Sequence, residues 1–579
     1  MPEKLGSAEL WNYTPFMLER AFRLLAILLL TFLSSSVATV ASKPNLVLIT
    51  VSSGRADRMG FSGGKAGVTP SLDGLASRAL VFEHAYTQTP DTVVSHATIL
   101  SGAYPQSTGV NDISGALSGS LPYLPDLLKA RGYRTAAFVG AGQLNPKNGR
   151  AQGFDRGFQT FNSHSATGTP SVRVELGSAS RSGNQVVTQA TAWIARDSQG
   201  PFFIWVELND ADSPKTSYAA GIGATDAAIG RFLASLKQQK LFANAAILVT
   251  ADHGESLGAH GEDTHGIFLY DETIQVPMLL KLPDTELMVK RVSAKVRLVD
   301  IAPTLLEVAG VAVPSQMQGQ SLLRIARASG AADQPVYSRC DLPQRGFGWS
   351  PIESWRAGKY LYIRAPKPEL YDLTADPGAT RNLAESSKAT LDTMAAQLEN
   401  FSRRISGEGG KTGNAQLSSS EMQKLASLGY VGLQKTAGAS AAATGIDPKD
   451  KIATANRVLE AARAVAQAKP GRAIGILNAL VASDPNLYLA EYTLGAALAQ
   501  KGQHAEAVKH LHKAIELQPD SAWAHYYIGA SLLKMGDYKT AVVHLEIAAG
   551  RLPGLKAARS ALDEARYHLA EKRDRAIRR

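Results

Sequence analysis

Three of the chain's twelve histidines fall within thirteen residues, in ADHGESLGAHGEDTHG at 251–266. His253, His260 and His265 alternate there with Asp252, Glu255, Glu262 and Asp263. Carboxylate oxygen and imidazole nitrogen together suit a borderline divalent cation such as zinc or manganese. An apolar run, Ala246 to Thr250, leads into the cluster, so it sits beyond a strand end, where open α/β sheets bind ligands. The bland alternative is a solvated loop whose aspartate caps a helix and whose histidines are incidental. The density of ligand-type side chains favours a site.

Two other strand ends carry polar groups. NLVLITV (45–51) ends in Ser52 and Ser53, and FFIWVEL (202–208) in Asn209, Asp210 and Asp212. Both runs are nearly all apolar, as in strands buried on both faces. YRTAAFVG (133–140), AAILVTA (245–251) and VPMLLKL (276–282) read the same way, with helical stretches between them. TPSLDGLASRALVFEHAYTQ reads as a helix leading into a strand, and TPDTVVSHATILSG (89–102) as a loop entering a helix. This alternation predicts a mostly parallel sheet covered on both faces, whose strand ends bring the polar groups to one edge. Residues 283–400 break into smaller pieces and predict a smaller second sheet packed on the first.

The length predicts two or three domains, and the apolar content is ordinary for a soluble protein. A net charge of +10 is modest for 579 residues. No basic face with interleaved aromatics appears, which argues against nucleic acid. The single cysteine, Cys340, excludes an intrachain disulfide and a cysteine-based zinc site. No His or Gly-rich turn stands near it in sequence, so it reads as incidental. Arg20 and Arg23 precede LLAILLLTFL and then SSSVATVAS, the order of a secretory leader, with Met17 a plausible start. The competing reading is a membrane anchor over about 21–41, close to the ~20 residues a bilayer needs. Either leader predicts export, to the periplasm or another extracytoplasmic space, and the second adds membrane association.

A helical stretch, SSSEMQKLASLGYV, and an Ala/Gly/Ser linker at 436–445 fill most of 401–446. Beyond it the chain repeats. Pro485, Pro519 and Pro553 are 34 residues apart, and Gly495/Gly529, Gly502/Gly536 and Ala473/Ala507/Ala541 keep that period. The pattern resembles the tetratricopeptide repeat, a helix–turn–helix that stacks into an all-α solenoid. Three units are expected, at about 451–484, 485–518 and 519–552, with a capping helix to about 572 and a basic tail at 573–579. Such arrays usually bind a protein along their concave face. The five histidines at 504–544 read as solvated or groove-lining.

Residues 44 to about 435 resemble a sulfatase of the alkaline phosphatase superfamily. The likeness rests on PNLVLITV…RADRMG, TPSLDGLASRALVFEHAY, SHATILSGAYPQSTGV, ADHGESLGAHGEDTHGIFLYDETIQVPMLLKLP, VDIAPTLLEVAGV and PELYDLTADPGATRNLA. It implies an α/β/α sandwich with a smaller C-terminal subdomain, over 43–400. It also implies displacement at a sulfate or phosphate ester, an anionic substrate, aided by a divalent metal such as calcium, zinc or manganese. Thr92 stands at the family's nucleophile position, with Ser95 and His96 nearby as substrate-binding residues. Threonine cannot become the formylglycine of true sulfatases, but related phosphodiesterases use it as a metal-bound alkoxide. Alternatively, Thr92 simply caps the following helix. Asp252 and His253 match metal ligands, and Ser52 stands where the family has an aspartate ligand. Glu207 and Asp212 replace histidines that contact the ester, and Asp210 keeps the aspartate between them.

Two readings follow. In one, the site is rebuilt: Asp210, Asp212, His260 and His265 hold a shifted metal, Thr92 attacks, and a histidine protonates the leaving oxygen. In the other, the site is impaired and the chain is a scaffold acting through its repeats.

Overall fold

Near-continuous Val/Ile/Leu runs cannot leave a face in water, and the chain buries them in the middle of a sheet. The structure, a computed structural model, describes residues 43–64, 67–111, 115–163, 180–196, 200–212, 217–286, 288–328, 333–408, 417–428 and 445–578. The leader and residues 436–444 of the linker lie outside these residues. Among the described residues no helix is long and apolar enough to cross a membrane.

The chief elements are β1 (Asn45–Val51), α1 (Pro70–Ala76), β2 (Leu80–Tyr86), α2 (Thr92–Ser101), α3 (Leu124–Ala130) and β3 (Arg134–Val139). There follow β4 (Thr160–Asn162), α4 (Gly183–Arg196), β5 (Phe202–Leu208), α5 (Tyr218–Gln238), β6 (Ala245–Ala251) and β7 (Gln275–Lys281). Then come β8 (Lys290–Val292), β9 (Val296–Arg297) and α6 (Ile301–Val308). The sheet order is β4-β3-β5-β1-β6-β7-β2-β8, with β9 beside β2. β4, β3, β5, β1 and β6 run parallel, whereas β7 is antiparallel to both β6 and β2. Every residue of β1, β5 and β6 is buried. Val51 pairs with Leu208 on one side and Ala251 on the other. This register sets Ser52, Asn209 and Asp252 side by side at one edge.

The smaller sheet is antiparallel: β10 (Val336–Cys340), β11 (Ile352–Ala357), β12 (Tyr360–Arg364) and β13 (Glu369–Asp372), in that order, with α7 (Leu342–Phe347) after its first strand. α8 (Lys388–Glu408) packs on β11 and β12, and α9 (Ser419–Ala426) begins in a capping box in which Ser418 and Glu421 cap each other.

The repeats fold as paired helices: α10 (Ile452–Ala466) with α11 (Pro470–Ser483), α12 (Tyr488–Gln500) with α13 (His504–Leu517), and α14 (Ala522–Met535) with α15 (Tyr538–Arg551). α16 (Lys556–Ile577) closes the array. Within each of the last two pairs a glycine permits close approach: a Cβ on Gly495 would stand 2.5 Å from Leu511 Cγ, and one on Gly529 2.6 Å from Leu545 Cγ. Gly495→Val is therefore expected to destabilise the array by about 1–3 kcal/mol through overpacking, read as a lower urea midpoint for the repeat transition.

Residues Pro44–Arg579 pack as one unit. α12 and α14 are buried almost end to end. α7 packs on α12, where Gly346 faces Leu489, and the Arg150 guanidinium lies 5.3 Å over the Trp523 ring. The helices expected to offer a partner an open groove thus lie against the chain's own α/β part. His525 and His544 depart from the solvated or groove-lining reading too, being fully buried between α14 and α15. The far end of the array is seated as well: Gln152 Nε2 donates to Arg551 O at 3.0 Å, and a Cβ on Gly554 would fall 2.0 Å from Pro146 O.

Candidate active site

Thr92 opens α2 beside the strand edge. Asp91 caps that helix, its Oδ1 accepting from Val94 N at 2.9 Å, so Thr92 is not the cap. Its hydroxyl is instead free to turn to His253, with Oγ1 3.1 Å from Nε2. The other ring nitrogen, Nδ1, lies 2.8 Å from Gly254 O and must donate to that carbonyl. The tautomer is thereby fixed: Nε2 carries the lone pair and accepts from Thr92 Oγ1–H. The carbonyl can approach this closely because the chain turns through a glycine packed on backbone; a Cβ on Gly254 would lie 2.0 Å from Glu272 O.

Asp252 is fully buried. Its Oδ1 accepts from Ser53 N at 3.0 Å and from His253 N at 2.7 Å. Ser53 reaches it by adopting φ 56°, a left-handed conformation costly for serine and of the kind that collects at functional sites. Oδ2 has no hydrogen-bond partner and lies 3.6 Å from His253 Nε2. An unpartnered buried carboxylate oxygen is expensive unless something positive faces it.

Ser95 and His96 line the inner side of α2. Ser95 Oγ donates to Asp252 O at 2.7 Å. His96 Nδ1–H donates to Thr92 O at 2.7 Å, leaving Nε2 to accept from Thr50 Oγ1–H at 2.9 Å. Burial lowers the His96 pKa, so the ring is neutral, and both its nitrogens are committed to holding α2 on the sheet. It therefore supports Thr92 from behind, in place of the substrate contact expected for it.

The carboxylate missing at position 52 reappears across the strand edge. Ser52 Oγ donates to Glu207 Oε1 at 2.7 Å, and Glu207 Oε2 accepts from Gly140 N and Ala141 N, both at 2.7 Å. Burial raises Glu207 to about 7, against the pull of these donors. Sequence reading flagged each residue as a departure but could not show that the two departures satisfy one another. Ser52, expected as a metal ligand, is turned to Glu207.

His265 stacks obliquely on His253, ring centroids 4.3 Å apart, and its Nδ1 lies 2.8 Å from Glu255 Oε2. Burial opposes its charge, but Glu255 beside it, with Asp212 and Glu262 near, raises its pKa to about 10. The ring is an imidazolium at neutral pH, with Nδ1–H given to Glu255 and Nε2–H remaining. Asp212 is exposed, within electrostatic reach of His265, Glu255, His253 and Asp252. Asp210 stands apart: its Oδ2 accepts from Gly183 N at 2.8 Å and so anchors the start of α4. His260 also stands apart, stacked on Tyr270 at 3.6 Å. Glu255, now the partner of His265, was part of the histidine-rich stretch but had no role assigned from sequence; its spacing of ten residues from His265 gave no sign of the contact. Cys340 is buried and donates to Gly266 O at 2.8 Å, and burial pushes its thiol far up, consistent with no nucleophilic role.

Among the described residues no three carboxylate, imidazole or thiol groups converge to hold a metal ion. Asp252 Oδ2 and His253 Nε2 are nevertheless spaced as neighbouring ligands of one dication, and Thr92 Oγ1 adds a third donor atom. The set fits an open, weakly held cation with a single anionic donor.

Comparison with known proteins agrees with this architecture. The Sulfatase family matches residues 44–214 and 207–311, the C-terminal family of N-sulphoglucosamine sulphohydrolase matches 261–404, and a TPR repeat family matches 495–536. An ulvan-active sulfatase of Formosa agariphila is 27% identical over 414 residues, which cover 62% of this chain and 80% of that protein. Arylsulfatase K of Mus musculus is 28% identical over 187 residues, 30% of this chain and only 33% of its own length. In fold, the chain superposes on the phosphonate monoester hydrolase of Agrobacterium radiobacter with a TM-score of 0.53 at 17% identity, over 62% of this chain and 96% of that one. Matching family models, relatives and fold agree over the same stretch: residues 44–404 belong to the sulfatase family of hydrolases, and the chain continues into tetratricopeptide repeats.

Proposed function

We propose that this is an exported hydrolase of sulfuric or phosphoric esters in which Thr92 is the nucleophile. The observation that carries the reading is the Thr92 Oγ1–His253 Nε2 contact, with the tautomer of His253 set by Gly254 O. His253 Nε2 aligns the hydroxyl and is the lone pair nearest its proton. The N-terminus of α2 favours negative charge developing on Oγ1. His265 is the charged group that pairs with an anionic ester, and its Nε2–H would protonate the leaving oxygen. Attack forms a bond from Thr92 Oγ1 to sulfur or phosphorus as the ester bond breaks, and water then hydrolyses the threonyl ester. A divalent cation, where it binds, would take the His253 Nε2 lone pair in place of the Thr92 proton, together with Asp252 Oδ2 and Thr92 Oγ1, and would supply Lewis acidity toward the ester oxygens. The leader would place the protein outside the cytoplasm, and a protein partner would engage the outward helices of the repeats.

The test is direct assay of the full chain on aryl sulfate and aryl phosphodiester substrates, after chelation and again with zinc, manganese or calcium restored. Turnover of at least one ester that returns with metal is expected. A second reading, an impaired sulfatase acting as a scaffold, is favoured by the Ser52–Glu207 contact, in which both carboxylate oxygens are already satisfied. No turnover with any ester and no bound cation would replace the first reading with the second.

A further inference from the structure

His265 is carried on a loop, so its usefulness depends on what holds that loop. Residues 256–266 contain two left-handed non-glycine residues, Leu257 at φ 55° and His260 at φ 53°, which persist only if the surroundings enforce them. Part of the enforcement is internal. Ser256 N donates to Thr264 O at 2.6 Å, Gly258 N to Glu262 O at 2.9 Å, and the buried Glu262 carboxylate accepts from Ile267 N at 2.7 Å. The tip of the loop, however, is held from the repeat array. Asn456, on the second turn of α10, donates from Nδ2 to Gly261 O at 2.8 Å and accepts at Oδ1 from Asp263 N at 3.1 Å. One side-chain amide therefore spans the turn on both sides of Glu262. Ile452, one turn earlier, packs at Gly261, where a Cβ would sit 3.5 Å from its Cγ2.

The helix that presents Asn456 is itself fixed. Just before it, Lys449 Nζ lies 2.9 Å from Glu369 Oε1 on β13, and Glu369 Oε2 accepts from Tyr270 OH at 2.8 Å. Tyr270 is the ring on which His260 stacks. Asp447 Oδ2 also accepts from Lys367 N at 2.8 Å. The loop tip is thus gripped between the catalytic domain and the first repeat, by contacts made with two separate residues of the array's beginning.

We propose that the repeat array is a working part of the hydrolytic site, with Asn456 as a positioning residue that holds the Gly261–Asp263 turn and, through it, His265. This rests on the reading of His265 as the group that meets the leaving oxygen.

The experiment compares the full chain with Asn456→Ala and with Arg472→Ala, which breaks an exposed pair with Glu460 elsewhere in the same repeat. Amide hydrogen exchange is followed in 256–266 and, as an internal reference, in β1 and β6, together with kcat and KM. Loss of two hydrogen bonds is expected to speed exchange in the loop about tenfold while leaving the strands unchanged. Misplacing a proton donor should lower kcat about tenfold or more, with KM changed less than about twofold. Arg472→Ala should do neither. Unchanged loop exchange in Asn456→Ala, or a looser loop with undiminished kcat, overturns the proposal. If the unaltered chain turns over no ester, the hydrolase reading fails by itself, and loop exchange still decides whether Asn456 holds the loop.

Discussion

Replacing Thr92 by alanine is expected to lower ester turnover by about a thousandfold or more while leaving the fold intact, and Thr92→Ser to retain most of it. The size follows from the role: without Oγ1 there is no atom to form the covalent ester, and direct attack by water would lack a positioned nucleophile. The fold should survive because Asp91, not Thr92, caps α2, and because His96 is held by the backbone carbonyl of residue 92. Serine keeps Oγ1 and its bond to His253 but loses the methyl that restricts the rotamer, so a loss within about tenfold is reasonable. Steady-state kinetics with a thermal melt on each variant checks this. Alanine at wild-type rate would sink the nucleophile assignment, and a parallel loss of turnover and melting temperature would return Thr92 to a structural role.

The second large effect lies far from the site, in the paired histidines of the last repeat. His525 Nε2–H donates to Pro519 O at 3.1 Å, so its Nδ1 must accept, and His544 Nδ1–H supplies the proton across 2.9 Å. Burial lowers His525 to about 4, with Pro519 O and Glu421 favouring charge and Arg551 and His512 opposing it; burial and the facing His525 and His512 hold His544 well below its ordinary value. A folded-state pKa below the unfolded value of 6.5 means that the unfolded chain takes up protons first. The stabilisation is therefore complete above about pH 6.5 and is lost as pH falls toward about 4. At 1.36 kcal/mol per unit, His525 alone accounts for about 3 kcal/mol across that window. Urea midpoints followed by tryptophan fluorescence, with Trp523 two residues from His525, should fall steeply between pH 6.5 and 5. His525→Gln combined with His544→Leu should flatten the curve; an equally steep fall in that double variant would mean that carboxylates elsewhere dominate.

Much of this architecture is legible in the sequence. The runs at 45–51, 202–208 and 245–251 are strands with those boundaries because a stretch buried on both faces leaves no ambiguity of period. The 34-residue spacing of proline and glycine located the repeats for a similar reason: small residues recur where helices must touch. Thr92, Asp252, His253 and His265 do meet at one edge. What sequence could not show was pairing at a distance. Ser52 and Glu207 are 155 positions apart, and only the parallel register of β1 and β5 makes one a partner of the other. Asp210, read from sequence as a site residue beside Asp212, instead faces the start of α4. The burial of His525 and His544 was hidden because a helical period marks a face as inward only when its residues are apolar.

The seating of the solenoid at both extremities, Asn456 on the Gly261 turn and Gly554 against Pro146, bears on how such a protein can change over time. A stack tethered at one end can gain or lose modules freely, since the new tip simply projects further. Here the distance between two moorings on the same rigid body sets how many modules fit. Duplication of a single 34-residue unit would have to unfasten one end, so the count of three is a dimension of the sulfatase-family domain as much as of the array.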